Sequence, residues 1–315
     1  MAALRLLFMG TAKLSCTVLQ ALADCADFQL VAVVTQPDRP KGRQLKLQAS
    51  PVKELALQLG LPVLQPERAR EPLFLAHLRQ LAPDLIAVAA YGQILPPTIL
   101  ELPRLGCLNV HTSLLPRYRG AAPIQWTILH DEPQTGVTIM KMDAGLDTGP
   151  ILTQAQTDIT AQDTSETLHE RLGQMGGQLL CQTIPGYVSG HLRPYPQPAE
   201  GATLAPRIKK EDGRIDWSQG ARAIWNRVRG LVPWPGAFAF LPKPTGPELL
   251  KIWQAEPAEI SGPAGQVLQA DRNGILVGCG RDALRVLQLQ REGGRRLSAQ
   301  DFLSGHPLAR GQQLG

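Results

Sequence analysis

Asn109 and His111 stand two residues apart within CLNVHTSLLPRYRGAAPI, the stretch from Cys107 to Ile124. In an extended strand that spacing sends both side chains to one face. The later loop DAGLDTG, Asp143 to Gly149, supplies a carboxylate, Asp147. An amide, an imidazole and an acid that converge could stabilise an oxyanion and move a proton, as acyl or formyl transfer requires. Taken singly, the three could equally be a buried amide, a core histidine and a loop cap, because many buried polar side chains only satisfy backbone groups. Position favours chemistry, since the carboxyl ends of parallel strands in open α/β sheets are where ligands bind. Ser113 lacks the GxSxG turn of a serine nucleophile.

The elements that must hold these residues alternate along the chain. Apolar runs at Leu4–Met9, Phe28–Thr35, Leu61–Leu64, Leu85–Ala90 and Cys107–Val110 read as strands. Between them lie helical patterns at Ser15–Asp24, Pro51–Leu59, Pro72–Leu81 and Pro97–Leu102. This βαβ order predicts an α/β domain with an open, Rossmann-like, mostly parallel sheet. Pro123–Leu129 reads as a short helix, and Gly136–Met142 with Ile151–Thr157 as a closing antiparallel pair around DAGLDTG. A long helix is expected from Thr160–Thr164 to Leu180, with Thr164 and Thr167 as capping hydroxyls. The proline-rich segment His191–Pro206 reads as an interdomain linker. Beyond it come a helix at Gln219–Gly230 and short strands at Ala237–Leu241, Leu249–Gln254, Gly265–Ala270, Gly274–Gly278 and Ala283–Leu289. Short strands after a helix predict a small C-terminal β-barrel of OB-like type. The expected division is a catalytic domain at 1–190, a linker at 191–206 and the barrel at 207–315.

Composition narrows the partners. The 315 residues hold no apolar run long enough to span a bilayer, and MAALRLLFMG passes directly into a strand without room for a leader, so a cytoplasmic location is expected. Five scattered cysteines without a CxxC pair, and histidines without an HxxxH pair, predict free thiols and no metal. Residues 1–199 carry 16 cationic and 16 acidic side chains, whereas residues 200–315 carry 16 against 11, so the formal excess of +5 lies in the last third. That asymmetry suits a surface meeting phosphate and equally a solvated basic domain. Gly10 follows the first strand, but MGTAKLS has one glycine where the dinucleotide fingerprint needs three, which disfavours a nicotinamide enzyme. Gln36–Pro51 reads as a long loop bearing Arg39, Lys41, Arg43 and Lys46, with binding and solvation evenly matched. WPGAFAF, Trp234 to Phe240, could be a base-stacking platform. Core packing suits it better, as it does Trp217 and Trp225.

Together Asn109, His111, SLLPRYRGAAPI and GLDTG resemble the 10-formyltetrahydrofolate-dependent formyltransferases. The resemblance runs from end to end toward the branch that formylates initiator Met-tRNA, through TQPDRPKGR, SPVKELA, VAAYGQILP, QTGVTIMKMDAGLDTG, RIDWS and PWPG. Glycinamide ribonucleotide formyltransferases usually stop near the linker, the hydrolase domain of formyltetrahydrofolate dehydrogenase typically lacks the asparagine, and aminoarabinose formyltransferases lack the basic loop. The resemblance implies 10-formyltetrahydrofolate as formyl donor and initiator Met-tRNA as acceptor; composition and spacing predict no metal and no membrane partner, and a monomer is the simplest expectation. The resemblance also implies that His111 and Asn109 stabilise the oxyanion while Asp147 orients His111 and passes a proton. The pterin would lie against Tyr91, Ile94, Ser113, Leu114, Leu115 and Pro116, within walls formed by Ala89–Ile94, Ser113–Pro116 and Met142–Asp147. Arg39, Lys41, Arg43 and Lys46 would meet tRNA on a wedging loop, and Lys209 and Lys210 would meet it in the basic third. Gln44 and Leu45 replace the usual glycine and lysine after Arg43, Thr112 replaces the glycine before SLLP, and Ala12, Lys13 and Leu14 depart from Pro-Asp-Phe. The rivals are formyl transfer to a sugar nucleotide, hydrolysis to formate, and a tRNA-binding protein no longer catalytic; the intact trio counts against the last.

Overall fold

The run LRLLFMG folds as strand β1 (Leu4–Gly10), with Leu6 to Met9 wholly buried, as a parallel strand covered on both faces requires. In the computed structural model, which describes residues 3–41, 46–244 and 246–315, the chain continues through α1 (Lys13–Asp24), β2 (Phe28–Val34), β3 (Arg39–Lys41), β4 (Lys46–Gln48) and α2 (Pro51–Gln58). Next come β5 (Val63–Leu64), α3 (Pro72–Leu81), β6 (Leu85–Ala89), α4 (Pro97–Leu100) and β7 (Cys107–His111). They are followed by α5 (Pro123–Leu129), β8 (Gln134–Lys141), β9 (Ile151–Asp158) and α6 (Ser165–Val188). The seven-stranded sheet has the order β5-β2-β1-β6-β7-β8-β9. Pairing is parallel from β5 to β7 and antiparallel from β7 to β9. The expected Rossmann-like, mostly parallel sheet is therefore present.

The chain separates into two compact units. The first comprises Met1–Pro123, Gln134–Asp158 and His169–Ala205; the second comprises Ile124–Pro133, Ile159–Leu168 and Pro206–Gly315. In the first unit the chain leaves β1 toward β2 and β5, then returns to β6 on the other side of β1. The carboxyl ends of β1 and β6 thus border the switch point at which open α/β sheets bind ligands. Backbone acceptors there are already used: Ser15 Oγ donates to the Ala89 carbonyl at 2.6 Å. Thr11 Oγ1 and Gln36 Nε2 donate to the Tyr91 carbonyl at 2.9 and 3.1 Å.

Three readings need adjustment in this unit. Gln36–Pro51 is not a structureless loop, because β3 and β4 pair as a ribbon in the register Arg39–Gln48, Pro40–Leu47, Lys41–Lys46. Its base is pinned by Lys53 Nζ donating to Asp38 at 2.7 Å and by Gln65 Nε2 donating to Asp38 at 2.8 Å. Those two donors hold the Asp38 carboxyl below the usual carboxylate range. Arg43, Gln44 and Leu45 lie outside the described residues. Helix α6 passes Leu180 and ends at Val188 despite Pro185. Proline removes one helical donor, but Ile184 is wholly buried and Tyr187 Oη donates to the Leu105 carbonyl at 2.7 Å, which holds the last turns. The proline-rich stretch is bonded to the first unit along much of its length, since Tyr195 pairs with Ile151 and Thr203 and Ala205 pair with Arg119.

The second unit contains the turn Lys210–Gly213, α7 (Ala221–Gly230), β10 (Ala237–Leu241), β11 (Glu248–Ala258), β12 (Val267–Asp271), β13 (Gly274–Gly278), β14 (Ala283–Arg291), β15 (Leu297–Ser298) and α8 (Ala299–Gly305). The antiparallel order β10-β11-β14-β13-β12 fits a small barrel, with β15 on β14. Its edges are bridged by the residues after α8. Phe240 and Gly315 exchange backbone bonds at 2.6 and 2.9 Å, while Leu314 N donates to the Gly265 carbonyl at 2.7 Å. These bonds pair edge groups that would otherwise lie exposed. The short strand and helix beyond Leu289 escape sequence reading because neither is long enough to carry a period. Trp225 in α7 is 8% exposed, with the guanidinium groups of Arg222 and Arg229 at 4.6 and 4.3 Å from its ring. Asp131 pairs with Arg222 at 2.9 Å, and Arg229 donates to the Thr160 carbonyl at 3.0 Å. These bonds draw segments 124–133 and 159–168 into a unit expected to begin only after residue 206.

Candidate active site

Strand β7 alternates as its sequence demands. Leu108 and Val110 are buried on one face, where Gly176 of α6 lies against Val110. Cys107, Asn109 and His111 take the other face. Cys107 is not a nucleophile here, because burial pushes its thiol up to about 12 and its hydrogen lies toward the Ile99 carbonyl at 3.7 Å.

Asp147 reaches the face of Asn109 and His111 by an indirect path. Strand β8 runs antiparallel to β7, pairing His111 with Thr138 and Asn109 with Met140. It therefore ends beside the beginning of β7, where Met142 N donates to the Cys107 carbonyl at 2.8 Å. The DAGLDTG loop then folds back along the strand. Asp143 shapes it by accepting the Gly145 N–H at 3.0 Å and the Thr148 hydroxyl at 2.8 Å. Asp147 sits in the left-handed region at φ 51°, which aspartate tolerates better than most residues. Gly149 crosses directly over the Lys141 carbonyl, so any side chain there would collide with backbone.

The three residues meet. Asn109 Nδ2 donates to Asp147 Oδ1 at 3.4 Å, and His111 Nδ1 lies 3.6 Å from Asp147 Oδ2. The side chains of His111 and Asp147 are 5% and 15% exposed, a setting of low polarity in which charge interactions strengthen. His111 Nε2 faces the Tyr118 carbonyl at 2.9 Å, and that carbonyl can only accept. Both ring nitrogens therefore face acceptors.

Sequence reasoning missed the second layer. Gly120 N donates to Asp147 Oδ2 at 2.9 Å. Gln197 Nε2, from the stretch expected to be a linker, donates to the Asp147 and Gly149 carbonyls, both at 2.8 Å. Arg119 closes the group by donating to Gln197 Oε1 through Nε at 3.0 Å and Nη2 at 2.7 Å. Two guanidinium donors on one oxygen fix the amide's orientation, so its nitrogen must point at the loop. The only available signal was Arg119 within PRYRG, whose role nothing in its spacing indicates.

The residues expected to line a folate pocket divide. Ile94 is 88% exposed, Leu146 is 60% exposed, and Leu114 and Pro116 are half-buried. Uncovered apolar side chains of this kind could meet a flat aromatic body. Tyr91, Ser113 and Leu115 do not offer their side chains in the same way. The Tyr91 ring packs in the core with Met9, Val34 and Phe74, and burial pushes its phenol up to about 12. Ser113 is fully buried and donates to the Arg117 carbonyl at 2.7 Å, while Leu115 packs on Met140 and Ile151. Of the expected tRNA contacts, Arg39 is exposed and pairs with Glu67 at 3.2 Å. Lys41 and Lys46 face each other across the ribbon's backbone register, and Lys209 and Lys210 are exposed in the second unit. Among the described residues no helix is long and apolar enough to cross a membrane, and no three His, Cys, Asp or Glu gather as a metal site.

Residues 4–184 match the model of the formyl transferase family, and residues 207–307 match that of the formyl transferase C-terminal domain. The chain is 50% identical over 309 residues to the methionyl-tRNA formyltransferase of Myxococcus xanthus, covering 98% of this chain and 97% of the relative. It is 48% identical over 315 residues to the methionyl-tRNA formyltransferase of Citrifermentans bemidjiense, covering 100% and 98%. A crystallised sugar 3N-formyl transferase superposes with a TM-score of 0.66 at 18% identity, covering 92% of this chain and 98% of that one, which shows a shared fold.

Proposed function

The chain belongs to the formyl transferase family, and from that premise we propose that it transfers the formyl group of 10-formyltetrahydrofolate to the α-amino group of methionine on initiator Met-tRNA. The product is N-formylmethionyl-tRNA for translation initiation. The observation that carries this reading is the meeting of Asn109, His111 and Asp147 in a chain that shares half its residues, over nearly its whole length, with methionyl-tRNA formyltransferases.

Chemistry follows from the donors. The amine of methionine, freed of its extra proton, attacks the formyl carbon, forming a new C–N bond and a tetrahedral oxyanion. Asn109 donates to that oxygen through its second amide hydrogen and His111 through Nε2 once the oxyanion takes the place of the Tyr118 carbonyl, each contributing on the order of 3 kcal/mol when placed as in an oxyanion hole. Asp147 anchors both donors and takes a proton from the attacking nitrogen. The C–N10 bond breaks as N10 receives the proton that Asp147 took from the attacking nitrogen, and the carbonyl re-forms on the acceptor. The exposed apolar side chains Ile94 and Leu146, with Leu114, suit the donor's ring system. We assign catalysis to residues 1–190, the passage between domains to 191–206 and tRNA binding to 207–315. Arg39, Lys41, Arg43 and Lys46 are assigned to the acceptor end of the tRNA. We read the chain as a monomer acting in the cytoplasm, where charged tRNA is made.

The test combines purified chain, 10-formyltetrahydrofolate and charged initiator tRNA and scores formylmethionine and free formate. Formylmethionyl-tRNA is the expected product; formate alone would make the chain a hydrolase, and neither product with tRNA binding retained would make it a binding protein. Gln197→Ala should lower kcat about tenfold, because two bonds of about 1 kcal/mol each that hold the Asp147 loop are lost. KM for either substrate should stay near the parent value, and an unchanged kcat would show that the loop holds its own shape.

A further inference from the structure

Helices α1 and α6 bring together two thiols that the chemistry above does not use. We propose that Cys25 and Cys181 form an oxidation site, a dithiol that peroxide converts to a disulfide stapling α1 to α6. The inference stands on the first unit alone and does not depend on which amine accepts the formyl group.

Spacing along the two helices builds the pair. In α6, Gly173, Gly177 and Cys181 follow at intervals of four, and in α1 Thr17 and Ala21 are followed at the same interval by Cys25, the residue that ends the helix. Residues four apart share one helix face. The two faces run side by side in the same direction. A Cβ on Gly173 would come within 3.4 Å of Thr17 Cβ, and one on Gly177 within 2.7 Å of Ala21 Cβ and 3.4 Å of Val18 Cα. Glycine at both steps lets the backbones approach closely, and the next step along each helix is a cysteine. Cys181 Sγ donates to the Ala21 carbonyl at 3.4 Å, while Cys25 N donates to the Leu22 carbonyl at the same distance. The Cys25 thiol is itself a hydrogen-bond partner of Cys181. The fold has therefore already brought together two sulfurs that are distant in sequence, the step that costs entropy when a loop must close.

Both thiols are free and half-buried, so a small oxidant reaches them. The other three cysteines are placed differently. Cys107 and Cys279 are buried with their hydrogens toward the Ile99 and Val277 carbonyls at 3.7 and 3.6 Å, and Cys16 has Glu54 and Lys13 beside it. Burial, followed by the Cys25 thiol, Asp24 and Asp27, pushes the Cys181 thiol up, which leaves Cys25 to meet the oxidant first. The Cys25 sulfur takes one oxygen of hydrogen peroxide as the O–O bond breaks and water leaves, giving a sulfenic acid. The Cys181 sulfur then attacks the Cys25 sulfur. The S–S bond forms, the S–O bond breaks, and the departing hydroxide carries off the Cys181 proton as water. Two thiols and one peroxide thus yield one disulfide and two waters.

Treating the full chain with hydrogen peroxide, digesting it without reduction and weighing the peptides tests the pair. The expected product is a Cys25–Cys181 cross-linked peptide, lighter by two hydrogens than its two halves together and returned to them by dithiothreitol. Closing a loop on the order of 150 residues restrains the unfolded chain, so the oxidised protein should melt about 5–10 °C above the reduced one. Cys25→Ser, a change at a half-buried helix end, should abolish both the cross-link and the shift in Tm, whereas Cys16→Ser should keep both. Absence of the cross-link, whether the thiols stay free or carry oxygen adducts, would overturn the proposal. So would a cross-link that leaves Tm no higher, or a shift in Tm that survives Cys25→Ser.

Discussion

Replacing His111 with alanine should cut kcat by about 10² to 10³, the cost of losing one oxyanion donor, while affinity for tRNA stays near the parent value. The imidazole is 5% exposed and bridges the Asp147 carboxylate and the Tyr118 carbonyl. Its removal leaves a buried acceptor unpaired, a cost of about 1–3 kcal/mol. A domain stability of roughly 5–15 kcal/mol absorbs that loss, so the variant should fold and the missing donor should dominate the kinetics. Single-turnover formylation beside an equilibrium tRNA titration checks the split. Equal losses in both would make His111 structural, and a thermal melt of the same sample would show whether folding had failed.

Asp147→Asn should be at least as damaging, lowering kcat by about 10² to 10⁴ with little change in KM. Asparagine suits the left-handed backbone at φ 51°, so the loop should keep its course. The amide nevertheless cannot replace the carboxylate. One oxygen of Asp147 accepts from Asn109, and the other accepts from Gly120 N while facing His111 Nδ1. Either orientation of an asparagine side chain points an NH₂ at a donor. The proton acceptor is also lost. Asp147→Glu restores the charge one methylene out of place, and its partial recovery would separate charge from geometry. A variant retaining more than about a tenth of parent kcat would remove Asp147 from proton transfer.

Much of the site could be read in the chain, and what could not be read has identifiable causes. Alternation along β7 was enough to place Asn109 and His111 on one face, because strand side chains repeat every second residue. The continuous apolar runs of β1 and β6, by contrast, marked strands covered on both faces, as in a parallel sheet. Gln197 escaped because it lies in a proline-rich stretch without periodicity and bonds backbone carbonyls, which leave no trace in a pattern of side chains. The β3–β4 ribbon escaped because three-residue strands carry no measurable period. Helix α6 exceeded its expected length because Ile184 and Tyr187, on either side of Pro185, find partners distant in sequence.

By itself the sequence determined which chemical groups are present and which are neighbours at local range: an amide and an imidazole on one strand face, a carboxylate on a glycine-bounded loop, and a cationic excess after residue 200. The tertiary structure decided that they meet. The antiparallel register of β7 and β8 starts the DAGLDTG loop beside Cys107 and turns it back along the strand, while Gly120, Gln197 and Arg119 hold Asp147 there. Periodicity encodes which face a side chain takes, whereas convergence depends on register and on bonds between distant segments, and only folding brings those about.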